Sequence, residues 1–161
     1  MTKTWRLVLT GGIVVGTFDI VYACVFWAIK SGVAPQRILQ RVASGWLGEP
    51  SMSGGWATAA LGFVSHYCIA ISMAATYYVV ARRWPALWER PIPYGAAYGL
   101  LLYGIMNYVV VPLSNAGASS KDPLWVGMSI AVHMVLIGLP CALFARRAIL
   151  VDLRAPAPTA V

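Results

Sequence analysis

Four long apolar stretches divide this chain, and they constrain its fold more than any other feature. They cover residues 7–29, 57–81, 94–112 and 124–145. A helix that crosses the hydrocarbon core of a bilayer needs about 20 apolar residues, because each residue adds about 1.5 Å to its length. Each stretch is therefore long enough for one crossing. The sequence predicts an all-α membrane protein with four transmembrane helices in an up-down bundle.

The composition agrees with this class of protein. Of the 161 residues, 60% are hydrophobic and 11% are charged, and the mean hydropathy is +0.72. A water-soluble domain of this size needs more polar surface than that. We therefore expect residues 1–154 to form one domain in the lipid bilayer, and the tail 155–161, which is rich in proline and alanine, to be disordered.

The first apolar stretch follows a short basic leader, so a cleaved signal peptide is an alternative interpretation. Its apolar run of about 22 residues exceeds the 7–15 that are typical of a signal peptide. It also carries Asp19 in its middle. We expect this segment to be a retained transmembrane helix.

Basic residues are distributed unevenly between the two sides that this topology creates. The side that holds both termini carries eight of them: Lys3, Arg6, Arg82, Arg83, Arg90, Arg146, Arg147 and Arg154. The other side carries four: Lys30, Arg37, Arg41 and Lys121. Because cytoplasmic loops are enriched in lysine and arginine, we expect both termini on the cytoplasmic side of the membrane. Topology explains the net charge of +7, so no nucleic-acid partner is predicted.

A short helix is predicted at residues 35–47, between the first two apolar stretches. Pro35 suits the first turn of a helix. Apolar residues recur at helical spacing: Ile38, Leu39, Val42, Trp46 and Leu47. Arg37 and Arg41 take another face, which is typical of an amphipathic helix that lies on the membrane interface. A surface helix packed over the mouth of the bundle is the alternative.

Glycine pairs at four-residue spacing indicate where helices pack. Gly12 and Gly16 lie in the first stretch, and Gly95 and Gly99 lie in the third. Lipid supplies no hydrophobic drive between helices, so association depends on close backbone approach. We expect both pairs at helix interfaces, either within the bundle or in a homo-oligomer or larger membrane complex.

Asp19, His66 and His133 are the only acidic or imidazole side chains within the four stretches. An ionisable group costs a few kcal/mol in hydrocarbon, so each is a functional-site hypothesis by default. Counting from the helix ends puts all three roughly 13–15 Å below the outer interface, close to mid-membrane. Asn107 of the third stretch lies one or two turns above them. These four residues form the predicted polar site.

Three functions are compatible with this site. In the first, the four residues handle ions or protons in a small transporter, channel or sensor, which predicts water access, and Pro140 supplies a kink. In the second, His66 and His133 are the axial ligands of a b-type haem, or bind a transition metal together with Asp19. In the third, the polar residues only hold helices together, and the chain is an accessory or structural subunit.

Catalysis has no support in the sequence. No nucleophile–histidine–acid arrangement, phosphate-binding loop or nucleotide fingerprint is present. The three cysteines lie on separate stretches without Cys-x-x-Cys spacing, so neither a disulfide framework nor a zinc site is predicted. We do not expect an enzyme.

Several segments resemble a group of uncharacterised small bacterial inner-membrane proteins. The matching segments are residues 16–23, 42–48, 65–66 and 103–114. More distantly, the second to fourth stretches resemble YagU-type proteins, which are described as inner-membrane proteins linked loosely to acid tolerance. In the YagU-type pattern histidines match His66 and His133, a histidine stands at the Asn107 position, and no acid matches Asp19. The resemblance implies a site centred on histidine more than on Asp19.

Overall fold

The computed structural model describes residues 1–154, which contain only helices and loops. Six α-helices follow one another in this range: α1 (Lys3–Ser31), α2 (Pro35–Leu47), α3 (Gly55–Ala81), α4 (Ala86–Glu89), α5 (Pro91–Leu113) and α6 (Pro123–Arg154). A 3₁₀ turn, Glu49–Ser53, joins α2 to α3. The tail 155–161, for which the sequence predicts disorder, lies outside the described residues.

Four of the helices, α1, α3, α5 and α6, are long and apolar enough to cross a membrane. This confirms the predicted all-helical fold with four such helices, and it indicates a multi-pass membrane protein. Large apolar side chains are exposed along these helices, among them Ile13, Val21, Phe63 and Leu100. In a bilayer such side chains face lipid rather than water, as a spanning helix requires.

Caps define the end of α1 and the start of α6. Gly32 ends α1 with a φ of 65°, a left-handed conformation that glycine adopts without strain. The carboxylate of Asp122 accepts a 2.9 Å hydrogen bond from the N–H of Trp125, and Pro123 occupies the first turn of α6. Asp122 and Pro123 therefore form the start of this helix. An ion pair between Lys30 and Asp122 joins the two helix ends.

α1, α3 and α6 contact one another. α1 approaches α3 at Gly12 and Gly16. A Cβ atom on Gly12 would lie 2.5 Å from the Cα of Ile71, and one on Gly16 would lie 3.0 Å from the ring of Tyr67. Only glycine allows the two backbones to come this close.

α5 packs against α6, and a cleft lies between α5 and α3. The Tyr98 hydroxyl of α5 spans this cleft and donates a 2.8 Å hydrogen bond to the carbonyl of Met73 on α3. Gly95 and Gly99 of α5 face Gly138 and His133 of α6. A Cβ atom on Gly99 would lie 1.9 Å from the carbonyl oxygen of His133, and one on Gly138 would lie 2.1 Å from that of Gly95. These contacts place His133 directly beside α5.

The end of the bundle that carries both chain termini, here called the termini end, is tightly packed. Its core side chains are almost fully buried: Val8, Ala74, Tyr78, Cys141 and Ala145. The Tyr78 hydroxyl donates a 2.8 Å hydrogen bond to Asp152, and the Thr4 hydroxyl donates a second one. The start of α1 and the ends of α3 and α6 are thereby held together.

The helix predicted at residues 35–47 is present as α2, which packs across α3 at the opposite end of the bundle, here called the α2 end. Its closest approach is at Gly62, where a Cβ atom would lie 1.9 Å from the carbonyl oxygen of Leu39. Gln40 and Ala43 are buried against α3, and Gln40 Nε2 donates to the carbonyl of Gly55 at 3.1 Å. α2 thus covers one side of the bundle mouth.

Candidate functional site

A cavity of about 890 Å³, here called the chamber, lies inside the α2 end of the bundle. All four transmembrane helices contribute to its wall, together with α2 and the loop 114–120. The structure places all four predicted site residues in this wall: Asp19 on α1, His66 on α3, Asn107 on α5 and His133 on α6. Each of the four is half-buried.

His66 uses one ring nitrogen to contact α1. Its Nε2 lies 2.8 Å from the carbonyl oxygen of Gly16. A carbonyl oxygen only accepts hydrogen bonds, so Nε2 carries a proton and donates it. In the neutral ring the remaining nitrogen, Nδ1, then has a free lone pair. The glycine at position 16 lets α1 come close enough for this contact.

His133 makes the equivalent contact through its other ring nitrogen. Its Nδ1 lies 2.8 Å from the carbonyl oxygen of Ser129, one turn earlier on α6, and therefore donates. The free lone pair of the neutral ring is on Nε2. The edge of the ring packs against Tyr103 of α5, with centroids 5.4 Å apart and planes at 86°. Contacts from both helices therefore fix this imidazole.

Asp19 is unpaired. Within residues 1–154 its carboxylate forms no hydrogen bond and no ion pair, and Ser51 Oγ is the one fully buried side-chain polar atom that lacks a partner. The free atoms of Asp19, His66 and His133 are therefore open to the chamber or its surroundings. None of these atoms is fully buried, so water or a ligand can reach them. The chamber offers three groups that can each accept a proton.

Arg37 and Arg41 of α2 line the chamber wall at the α2 end. Arg37 donates to the carbonyl of Met52 at 2.7 Å, and Arg41 donates to that of Ala118 at 3.2 Å. Arg41 also lies 3.7 Å from a carboxylate oxygen of Glu49. Both guanidinium groups are thus held at the mouth, where the sequence analysis had assigned no site residue.

Two π-helical segments flank the chamber: Met106–Val110 within α5 and His133–Gly138 within α6. Asn107 lies in the first, and its Nδ2 donates to the carbonyl of Tyr103 at 3.0 Å. Each segment ends two residues before a proline, Pro112 or Pro140. A wider turn accommodates the missing N–H and the steric bulk of proline. Wider turns of this kind are frequent at functional sites.

The outer wall of the chamber is aromatic. Trp27 of α1 and Trp125 of α6 line it, and they follow Asp19 and precede His133 on their helices. Trp125 stacks on Tyr22 with centroids 5.3 Å apart and planes at 7°. Each lies eight residues from a site residue on its own helix, Trp27 from Asp19 and Trp125 from His133. That spacing was the sequence signal that they share a face with the site.

A second cavity of about 650 Å³, here called the α3–α5 cleft, opens beside the chamber. Its wall is almost entirely apolar, with Tyr77, Tyr94 and Trp84 towards the termini end. Four residues line both cavities: Ile69, Met73, Met106 and Val110. The two spaces therefore adjoin just below the level of His66 and Asn107.

The structure bears differently on the metal and haem hypotheses. Within residues 1–154 no group of three or more His, Cys, Asp or Glu side chains is placed to hold a metal ion, so a metal bound jointly by Asp19 and both histidines is not supported. Haem ligation by His66 and His133 stays a prediction, with one ring nitrogen of each left free.

Comparisons with protein-family models, with curated proteins and with solved structures find no match to this chain.

Proposed function

We propose that this protein handles protons, taking them up and releasing them in the chamber as part of a transport or sensing cycle. The observation that carries the proposal is that three groups in the wall of one cavity have a free proton-accepting atom: the Asp19 carboxylate, Nδ1 of His66 and Nε2 of His133. At about 30 Å³ per water molecule, the chamber has room for on the order of 30 waters. Water access is what this function requires.

The hydrogen bonds of the histidines suit this role. His66 accepts a proton at Nδ1 while its Nε2–H continues to bind the Gly16 carbonyl. His133 accepts one at Nε2 while its Nδ1–H continues to bind the Ser129 carbonyl. Protonation strengthens both hydrogen bonds, because a charged donor binds a carbonyl more tightly than a neutral one. The site can therefore change its charge without losing its helix contacts.

The packed core at the termini end supports exchange from one side over conduction through an open pore. Below the chamber the side chains of Val8, Tyr78 and Cys141 are almost fully buried. Protons that enter from the α2 end therefore meet a closed floor. A transport cycle would need these helices to move. The two π-helical segments beside the site interrupt the regular helix, so the helices can bend there.

Membrane topology belongs to the same proposal. The ion pair of Lys30 with Asp122 and the hydrogen bond of Thr4 with Asp152 join opposite ends of α1 and α6, which supports an up-down bundle. The eight-to-four distribution of basic residues supports cytoplasmic termini, and the resemblance to bacterial inner-membrane proteins is the ground for proposing that membrane. The exposed Trp46, 67% accessible, supports α2 as an amphipathic helix at the outer interface. The resemblance to YagU-type proteins stays a prediction.

Nuclear magnetic resonance of isotope-labelled histidine tests proton handling in the folded protein. The chain has two histidines, so each gives its own ring signals. We expect opposite neutral tautomers, with the proton on Nε2 in His66 and on Nδ1 in His133, and both rings should respond to pH. Asp19→Asn should change the response of both rings to pH, because it removes a proton-binding group from the chamber wall.

Glu89→Gln provides the matched control. Like Asp19→Asn it changes a carboxylate to an amide, but Glu89 is exposed and lies outside the chamber. It should leave both histidine signals unchanged. Rings that keep one protonation state across the pH range in which the protein stays folded would count against proton handling. So would identical responses in the wild type and in Asp19→Asn.

A further inference from the structure

We propose that the chamber binds an organic cation with large apolar groups, which enters from the bilayer through the α3–α5 cleft and exchanges with a proton at Asp19. This inference rests on the proposed proton handling and names the class of its substrate. The exchange is balanced: the Asp19 carboxyl group loses its proton to water in the chamber, and the resulting carboxylate pairs with the cation. No bond is broken in the ligand.

The charge in the chamber wall that lacks a partner selects the sign of the ligand, because Arg37 and Arg41, which also line the chamber, are held by carbonyl oxygens at its mouth. Asp19 is the only carboxylate that lines the chamber, and it has no partner within the described residues. The free ring nitrogens of His66 and His133 add two further lone pairs in the neutral state. A cation can pair with the Asp19 carboxylate and with these lone pairs, which also have no partner among residues 1–154.

The wall also selects an apolar ligand. A volume of about 890 Å³ lies within the range of pockets that bind organic molecules, and the wall is mainly apolar with a few convergent polar groups. Trp27, Trp46 and Trp125 are part of it. The faces of tryptophan rings attract cations, by about 0.5–2 kcal/mol depending on desolvation. A small hydrated metal ion would use neither the volume nor these rings.

The route of entry follows from the positions of the arginines. Arg37 and Arg41 outnumber Glu49, the one carboxylate among the described residues that pairs with them, and so leave the α2 mouth with a net positive charge that repels cations from water.

The α3–α5 cleft carries no charged side chain in its wall. It joins the chamber at Ile69 and Met106, on the chamber side of the hydrogen bond from the Tyr98 hydroxyl to the Met73 carbonyl that spans the cleft. A cation soluble in the bilayer can therefore reach Asp19 laterally. Access through the cleft favours lipophilic cations over hydrophilic ones.

Equilibrium dialysis with tetraphenylphosphonium tests this inference on the full chain in lipid nanodiscs. Tetraphenylborate is the control ligand, because it has the same shape and the opposite charge. We expect saturable binding of about one phosphonium per chain and no saturable binding of the borate. Asp19→Asn should weaken phosphonium binding at least tenfold, whereas Glu89→Gln should leave it unchanged. Equal binding of both ions, or equal binding by Asp19→Asn and wild type, would overturn the proposal.

Two further measurements test the exchange and the route. Phosphonium binding should release protons into a weakly buffered solution, and Asp19→Asn should release none; binding without release overturns the exchange. Ala97→Phe narrows the cleft and should slow association at least fivefold. Leu100→Phe adds the same ring on a face of α5 that lines neither cavity, and it should leave the association rate unchanged. Equal rates for the two variants overturn the lateral route.

The outcomes distinguish this inference from the proton-handling function on which it rests. If the histidine signals respond to pH and to Asp19→Asn while no phosphonium binds, proton handling stands and the substrate class is wrong. If the histidines keep one protonation state, proton handling fails whatever the dialysis shows.

Discussion

Gly99 and Gly104 lie on the same helix, α5, and differ in what surrounds them. A Cβ atom on Gly99 would lie 1.9 Å from the carbonyl oxygen of His133, whereas nothing lies within 4 Å of one on Gly104. Backbone atoms cannot move aside as the end of a flexible side chain can. The position of His133 therefore depends on the absence of a side chain at Gly99 of the neighbouring helix.

Gly99→Ala should destabilise the protein, and Gly104→Ala should not. We expect the first to lower the free energy of unfolding by about 1–3 kcal/mol, as overpacking does, because α5 must move away from α6. The second should be neutral or stabilising by up to about 1 kcal/mol, since alanine is the better helix former. Unfolding in mixed micelles, followed by tryptophan fluorescence, measures both. Equal effects of the two substitutions on the free energy of unfolding would contradict the close α5–α6 contact at Gly99.

The depth of the polar residues could be predicted from the sequence, but their chemistry could not. Counting residues along each stretch brought Asp19, His66 and His133 to one level, and all three line the chamber. Which ring nitrogen donates depends on where carbonyl oxygens of other turns lie, and spacing along one chain does not encode that. The two histidines look alike in the sequence and use opposite nitrogens.

At the scale of the element, proline marks where α5 and α6 depart from regular geometry. The sequence analysis expected a kink at Pro140 and assigned no such role to Pro112. The structure has a π-helical segment ending two residues before each of them. A proline inside an apolar stretch shows that the helix must adjust, but the choice between a kink and a wider turn depends on neighbouring helices. The tight α5–α6 contact at Gly138 lies within one of these segments.

The contact between the end of α1 and the start of α6 should weaken in acid. The ammonium group of Lys30 and the N–H of Trp125 hold the pKa of Asp122 below its ordinary value. A carboxyl group whose pKa is lowered by folding stabilises the folded state above its ordinary pKa, and this contribution is lost as the pH falls through the lowered value. Water screens the pair, so the contribution is small and should fall further in salt.

Asp122→Asn isolates that contribution, because asparagine also caps a helix but carries no charge. The variant should have a lower melting temperature than wild type at neutral pH. The difference should disappear in acid, where the wild-type carboxyl group is protonated as well. Melting curves at a series of pH values provide the measurement, and a difference that does not change with pH would contradict the role of the ion pair.

At the scale of the whole molecule, the bundle is asymmetric along its length. The termini end has a packed core with Tyr78 hydrogen-bonded to Asp152, while the α2 end encloses the chamber. The sequence analysis predicted the four helices from their apolar stretches and the polar level from residue counts. The cavity could not be predicted from the sequence, because it depends on how α2 and α5 are placed relative to the other helices. No single segment encodes that placement. The function of the chamber therefore depends on which side of the membrane the α2 end faces.

Cysteine labelling determines that orientation. Ser53 lies exposed at the α2 end and Ala86 lies exposed at the termini end, so each accepts a cysteine without disturbing the core. If the termini are cytoplasmic, a maleimide that cannot cross membranes should label Ser53→Cys in intact spheroplasts and Ala86→Cys only after lysis. The unmodified chain, with Cys24, Cys68 and Cys141 in its spans, gives the background. The reverse pattern would place the chamber on the cytoplasmic side, and it would mean that eight basic residues face outward against the charge rule.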